Sequence, residues 1–299
     1  MTENISQIRT KPKKIIKKKP TFIEVCSGCG GLSSGFINKG FKPLFLNEID
    51  KTFCETLEAN HPNTKIINKS MEDLELEPYI NGVDILMGGV PCQSFSQAGK
   101  RKGLQDKRGN LILTFIDMIS KLKPKIFLIE NVKGLKTHNK GETLQTIIAK
   151  INEIDNYKTQ FKVLNANDFN VPQKRERLII IGVRNDLNKT YEYPTPFEYK
   201  PILKDVLENC PESEGYTYDE KKFKVLDLVP EGGCWVDLPE EIQKEYMMKS
   251  YFSGGGKRGI AKRLDMNKPS LTLLTTPSQK QTERCHPKET RALQDFRIF

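Results

Sequence analysis

The stretch FIEVCSGCGGLSSGF, residues 22–36, carries the pattern that decides the fold. An apolar run typical of a strand leads into a turn rich in glycine, and a helix-like segment follows. Gly28, Gly30 and Gly31 allow the backbone to approach a ligand closely where that helix begins. The stretch therefore predicts the first strand, turn and helix of a nucleotide-binding α/β domain. A dinucleotide fingerprint has glycine where Ser33 stands, which disfavours a nicotinamide dehydrogenase.

The alternation of apolar strands with helix-like segments continues to about residue 184. It predicts a Rossmann-like α/β sheet with helices on both faces. The predicted strands are 22–26, 43–47, 65–67, 83–87, 125–129, 159–164 and 177–183. The predicted helices are 32–39, 52–60, 109–121 and 142–153.

The alternation of strands and helix-like segments ends after Arg184, where the chain becomes rich in proline and then acidic. A small irregular domain is therefore expected after the sheet. Its basic loop, SGGGKRGIAKR, suits contact with phosphates through Lys257 and Arg258, although a solvated loop would look the same. The predicted boundaries are an arm at 1–20, an α/β domain at 21–189, an irregular domain at 190–285 and a final segment at 286–299.

Charge and composition narrow the class of protein. The net charge is +10, and residues 1–20 hold seven basic side chains against one acidic, so this arm carries +6 of it. Such an arm is expected to be disordered and to contact phosphates, or else to act only as a solubilising tail. The chain has no apolar run of membrane-spanning length and no signal peptide, so a cytoplasmic protein is expected.

The seven cysteines are odd in number and scattered, which favours reduced thiols over a disulfide framework. Cys26 and Cys29 form a single CxxC inside the glycine turn, and no second CxxC exists, so no metal site is predicted. Cys92 follows the strand 83–87 and two glycines. It is thus expected at the sheet edge where α/β proteins bind ligands. Taken alone, a buried filler would be the better interpretation of Cys92.

Four charged side chains are predicted beside such an edge. Glu48 ends the second strand, where an acid can bind the ribose hydroxyls of an adenosine-containing cofactor. Glu130 closes the apolar run IFLIENV, which predicts a buried strand and an acid that shares a proton. Arg175 and Arg177 alternate in QKRER and would face one side of a strand, unless they belong to a surface ion-pair stripe.

The motifs CSGCGG, PCQSFS, ENV and QKRERL, in this order, resemble those of the DNA (cytosine-5)-methyltransferases of bacterial restriction–modification systems. The resemblance covers about residues 21 to 296. It implies an S-adenosylmethionine-dependent methyltransferase fold with a target-recognition domain at 190–285. It also implies S-adenosyl-L-methionine as cofactor and double-stranded DNA as substrate. The enzyme would be a monomer, away from membranes, and a cognate restriction endonuclease would share the system without contacting it.

The resemblance also implies roles for single residues. Cys92 would attack C6 of a flipped-out cytosine, Glu130 would hold the N3 edge of the base, and Arg177 with Arg175 would bind its carbonyl oxygen. The implied cofactor-binding residues are Cys26, Ser27, Gly28, Gly30, Gly31, Leu32, Glu48, Ile49, Ser70, Met71 and Pro91. The implied DNA contacts are Gln93, Ser96, Lys257 and Arg258.

The sequence departs from the family at its end, because it stops after ALQDFRIF, whereas members continue through a segment with a glycine–asparagine pair. A truncated chain with weak cofactor binding is one expectation. An inactive DNA-binding remnant and a tRNA-modifying enzyme of the same family remain alternatives. The sizeable variable segment at 190–290 favours DNA over tRNA.

Overall fold

The computed structural model describes residues 19–91, 111–208, 217–253, 259–274 and 283–293. The strands in these ranges are β1 (Thr21–Val25), β2 (Lys42–Glu48), β3 (Ile66–Asn68), β4 (Ile85–Gly88), β5 (Ile126–Val132), β6 (Tyr157–Asn165), β7 (Gln173–Lys174), β8 (Glu176–Arg184) and β9 (Ser270–Leu271). The α-helices are α1 (Gly31–Asn38), α2 (Lys51–Asn60), α3 (Leu111–Leu122), α4 (Glu142–Asn152), α5 (Lys204–Leu207), α6 (Glu220–Asp227) and α7 (Glu240–Met247).

Seven strands form one sheet in the order β3-β2-β1-β4-β5-β8-β6, and β7 pairs with β9 in a separate two-stranded sheet. The pairs β1–β2, β1–β4 and β2–β3 are parallel, whereas β6 and β8 are antiparallel. Parallel neighbours need crossover connections, which explains the alternation of strands and helices along the chain. The predicted α/β class is confirmed, and each of the seven predicted strands overlaps an observed one.

The chain divides into two compact units. One holds the described residues of Met1–Gly88 and Asp117–Phe127, and the other holds those of Gly89–Ile116 and Leu128–Phe299. In the first unit every residue of β1 is buried, as expected for a strand covered on both faces. The domain boundaries inferred from the sequence stay predictions.

The part of the second unit beyond Arg184 is more regular than the sequence suggested. Helix α6 begins at an N-cap, where the Asp219 carboxylate accepts a hydrogen bond from the Lys222 amide, 2.9 Å away. This helix buries Val225 and Leu226. Because charged side chains surround these two apolar positions, the stretch looked irregular on composition. The residues of this region form a core of their own around Trp235 and Met247.

Arg263 forms hydrogen bonds that connect separate segments of the region beyond Arg184. Its buried guanidinium donates to the carbonyl oxygens of Leu226 and Val229, both at 2.7 Å. It also donates to the carbonyls of His286 and Glu289, each at 3.1 Å, and to the Thr290 hydroxyl at 2.9 Å. One side chain therefore links the end of α6 to the segment around residues 286–290. Among the described residues, no helix has the length and apolar character needed to cross a membrane.

We expect Arg263→Lys to lower the free energy of unfolding by about 2–5 kcal/mol, because a lysine ammonium cannot reach five acceptors and leaves buried carbonyls unpaired. Urea unfolding followed by circular dichroism measures the loss. Lys268→Ala is the control, since Lys268 makes an exposed ion pair with Asp265 worth roughly 0–1 kcal/mol. Equal unfolding midpoints for the two variants would contradict this role for Arg263.

Candidate active site

The glycine turn of the first unit depends on left-handed backbone. Cys26, Gly28 and Gly30 have φ values of 52°, 54° and 87°. At Gly30, the N-cap of α1, a Cβ atom would lie only 2.8 Å from the Leu57 side chain, so packing also requires glycine there. At Gly28 a Cβ atom would meet nothing within 4 Å. The turn is therefore tightly packed on one side and open at Gly28.

Glu48 holds this turn. One carboxylate oxygen accepts a hydrogen bond from the Gly28 amide at 2.8 Å. The other oxygen accepts from the amides of Ile49 at 2.8 Å and Asp50 at 3.0 Å. The Asn68 side chain donates to the carbonyls of Glu48 and Ile49 and fixes the same corner. Glu48 ends β2, as the sequence predicted, and it is buried; its role toward a cofactor stays a prediction.

The other predicted cofactor residues differ in environment. Ser27 and Met71 are buried, whereas Leu32 is half-buried and Ile49 is largely exposed. The Ser70 hydroxyl accepts from the Glu72 amide and caps the 3₁₀ turn at Met71–Asp73. Gly31 is the first residue of α1, and Pro91 is exposed in the second unit. Their roles toward a cofactor stay predictions.

The Cys26 thiol lies in an environment that disfavours its thiolate form. Burial, with repulsion from Glu48 and Glu24, raises the pKa of this thiol to about 12. It is therefore protonated at neutral pH, whereas the thiolate is the form that binds metals and attacks disulfides. Cys29 is exposed, and both cysteines are free. The described residues contain no cluster of three or more possible metal ligands.

Glu24 is a buried acid, in the strand that leads into the glycine turn, that the sequence reasoning did not single out. It lies in β1 with 2% of its surface exposed, and its Oε2 atom has no hydrogen-bond partner among the described residues. Burial raises the pKa of the Glu24 carboxyl to about 8, against the opposing effect of hydrogen bonds with Ser33. Repulsion from Glu48 adds to the shift. An acid inside the apolar run TFIEV was the signal available in the sequence.

In the second unit the ENV and QKRER motifs meet. Arg177 Nε lies 2.7 Å from Glu130 Oε1, with 21% and 27% of the two side chains exposed. Glu130 is near the end of β5 and Arg177 near the start of β8, so two strands bring these residues together. Arg177 also donates to the carbonyl of Glu176 at 2.9 Å. The geometry gives a partly exposed carboxylate–guanidinium pair.

Two expectations for these motifs were wrong. β5 alternates between buried and half-buried residues, so it is not buried throughout, and Glu130 is half-buried. Arg175 lies between β7 and β8 and not within one strand with Arg177, because β7 pairs with the distant β9. The alternation argument therefore does not apply to Arg175, whose amide donates to Asn165 Oδ1 at 3.1 Å. Glu176 forms the surface ion pair that was the alternative, with Lys133 at 2.8 Å.

Asn131 was also missed, although it belongs to ENV. Its side-chain nitrogen donates to the Val90 carbonyl at 2.8 Å, and its oxygen accepts from the Val132 amide at 2.9 Å. Asn131 is buried, so this bond fixes the backbone two residues before Cys92. Predicted site residues that lie outside the described residues are Cys92, Gln93, Ser96, Lys257 and Arg258.

Comparison with known proteins adds to this geometry. The chain is 47% identical over 289 residues to the Type II methyltransferase M.Eco47II of Escherichia coli, covering 94% of this chain and 69% of that protein. It is 50% identical over 275 residues to the Type II methyltransferase M.Sau96I of Staphylococcus aureus, covering 90% of this chain and 64% of that protein. The chain thus spans about two thirds of the length of these relatives.

Among solved structures, the fold is similar to that of the Entamoeba histolytica methyltransferase EhMeth. The TM-score is 0.61 at 18% identity, covering 94% of this chain and 80% of the other. The sequence profile of the C-5 cytosine-specific DNA methylases matches residues 20–297. With its relatives and its methyltransferase fold, the chain belongs to the C-5 cytosine-specific DNA methylase family.

Proposed function

We propose that the chain methylates C5 of cytosine within a specific DNA sequence, as part of a restriction–modification system, with Cys92 as nucleophile. Family membership supports the reaction class. The observation that carries the residue assignment is the 2.7 Å pair between Arg177 and Glu130, which joins two of the three motifs that hold the predicted catalytic residues. The third motif holds Cys92, and Asn131 anchors the backbone that leads to it.

The chemistry explains why these residue types are needed. C5 of cytosine is a poor nucleophile until a covalent bond at C6 loads electron density onto the ring. The Cys92 sulfur would form that bond, and its loss together with the C5 proton would restore the aromatic ring after methylation. Since C6 cannot be reached inside a base stack, the target cytosine must be flipped out of the duplex.

Glu130 and Arg177 would act on the other edge of the base. The Glu130 carboxyl would bind N3 and the exocyclic amino group and share a proton with N3, which drains electron density as Cys92 attacks. The Arg177 guanidinium would bind the base carbonyl oxygen while it keeps Glu130 in place. Arg175 would assist from the adjoining segment.

S-adenosylmethionine is the cofactor that the family and fold imply, and it supplies an electrophilic methyl group when bound. The glycine turn fits such a group. Glu24 offers a buried carboxylate oxygen without a partner among the described residues, which suits a cationic ligand. Glu48 uses three acceptor positions on backbone amides, and a carboxylate has about four, so one remains for a ribose hydroxyl.

Cys92→Ser should abolish methyl transfer while the fold persists, because a hydroxyl lacks the acidity and nucleophilicity of the thiol. Transfer of tritium from labelled S-adenosylmethionine to duplex DNA, with tRNA in parallel, measures the effect. Cys210→Ser is the matched control and should keep full activity. Methylation of DNA by the Cys92 variant at the wild-type rate would refute the nucleophile assignment, and methylation of tRNA alone would refute the substrate.

Glu130→Gln should slow formation of the covalent adduct by about 10²–10⁴-fold, the usual contribution of a general acid or base. Trapping on DNA that contains 5-fluorocytosine reports this step. Glu176→Gln is the matched control, because Glu176 is the exposed acid that pairs with Lys133 beside the site. Equal trapping rates for the two variants would count against the proposed role of Glu130.

Glu24→Gln should change how stability depends on pH. Between the ordinary glutamate pKa and about 8, the folded wild type binds more protons than the unfolded chain. Its free energy of unfolding therefore falls as pH rises, by at most about 1.4 kcal/mol per pH unit. The variant lacks this fall. Urea titrations across this range measure it, with the exposed Glu58→Gln as control.

The same group should respond to the cofactor. A cationic ligand beside Glu24 favours the carboxylate, so binding near neutral pH should release a proton from the wild type. Calorimetry in buffers of different ionisation enthalpy detects that proton, and Glu24→Gln should release none. Equal proton release by the wild type and Glu24→Gln would show that Glu24 does not respond to the bound cofactor.

A further inference from the structure

Phe252 is the most exposed large hydrophobic side chain among the described residues, with 78% of its surface accessible. It lies in the 3₁₀ helix at Met248–Ser253, directly after α7. Met248, four residues earlier, is 68% exposed. Two large apolar side chains in one short segment are costly to leave in water, which indicates an interaction surface.

The Phe252 ring is held in place by other aromatic rings. Its centroid lies 5.2 Å from that of Tyr251 in an edge-to-face arrangement, and the Tyr251 centroid lies 6.2 Å from that of the buried Trp235. Lys244 Nζ lies 5.9 Å from the centre of the Tyr251 ring. A chain of rings therefore runs from the core of this region to an exposed aromatic end.

The backbone before Phe252 supports the same interpretation. Met248 ends α7 with φ 54° and ψ −134°, a combination that residues other than glycine rarely adopt. Such a conformation persists where the surrounding structure imposes it. Its effect is to turn the chain sharply after α7, so that the segment bearing Phe252 leaves the helix direction.

Charge indicates the partner. The protein carries +10 overall, and in sequence the segment is flanked by Lys249 on one side and by Lys257 and Arg258 on the other. Of the three acids of α7, Glu240 and Glu245 are in ion pairs with Lys244 and Lys221, and Glu241 is exposed. An exposed aromatic ring among basic residues is typical of a surface that stacks on nucleic-acid bases.

We propose that Phe252 is a DNA contact, in which its ring stacks on a base of the bound duplex while Tyr251 and Trp235 keep it in position. This inference rests on the proposed function, since the duplex is the substrate assigned there. Insertion of an apolar side chain at a base step unstacks the bases locally. Phe252 thereby adds affinity for the bound, distorted duplex without adding charge.

The test uses the full chain and a duplex centred on the sequence that bisulfite sequencing finds methylated in cells expressing it. Phe252→Ala should weaken binding by about 5- to 150-fold, the usual effect of losing one stacked base. The salt dependence of binding should keep the wild-type slope, because no phosphate contact is lost. Phe252→Trp should restore affinity, whereas Phe252→Leu should not.

Two controls separate stacking from other effects. Phe197→Ala removes another exposed ring of the same unit, 59% accessible, and should leave DNA affinity unchanged. Thermal melting should be the same for wild type and Phe252→Ala. Scanning the duplex with 2-aminopurine should reveal one position whose fluorescence changes on binding wild type but not Phe252→Ala.

Wild-type DNA affinity in Phe252→Ala would overturn the proposal and leave the proposed function standing. So would a loss of self-association with no change in DNA binding, since the partner would then be a second copy of the chain. A flatter salt slope in the variant would also overturn it. If the wild-type chain neither binds nor methylates duplex DNA, the proposed function fails, and this inference fails with it.

Discussion

The ion pair between Glu130 and Arg177 is the constraint around which the candidate chemistry is organised. Both side chains are about one quarter exposed, so the pair adds little to stability. Its importance lies in geometry, because a carboxylate fixed by a guanidinium presents its remaining oxygen in one direction. A base edge with a ring nitrogen, an amino group and a carbonyl can bind to both partners at once. In the proposed function, the pair is thus partly arranged for the base before the base binds.

The sequence predicted the strands well for a physical reason. Strands covered on both faces are near-continuous apolar runs. β4 has this form and β1 is apolar apart from Thr21 and Glu24, so both strands could be recognised in the sequence. The sequence motifs suggested that Glu130 and Arg177 lie near the same sheet edge, but they could not establish a contact between them. That contact depends on β5 and β8 being neighbours in the sheet, which no local pattern encodes.

Long-range pairing also explains what the sequence could not reveal. The strand expected around Arg175 is interrupted because Gln173 and Lys174 pair with Ser270 and Leu271. The Thr272 hydroxyl, 98 positions away, donates to the Lys174 carbonyl at 2.8 Å. Local alternation of side chains cannot identify such a partner. Helix α6 was missed for a local reason. It buries only two residues, and the charged residues beside them obscure the apolar spacing of a helix.

The electrostatics of the glycine turn distinguish the kind of ligand better than the glycines do. A turn before a helix N-terminus ordinarily favours phosphates, because its amides point at the ligand. Here Glu48 already accepts a hydrogen bond from one turn amide, that of Gly28, besides those of Ile49 and Asp50 after β2. Glu24 adds a second buried acid that is close enough to interact with the Glu48 charge. The Glu48 carboxylate repels a phosphate, and a cation beside Glu24 would favour the ionised form of that carboxyl as well. The electrostatics of the turn therefore favour a cationic cofactor, such as the S-adenosylmethionine that the family and fold imply, over a ligand that places a phosphate beside Gly28.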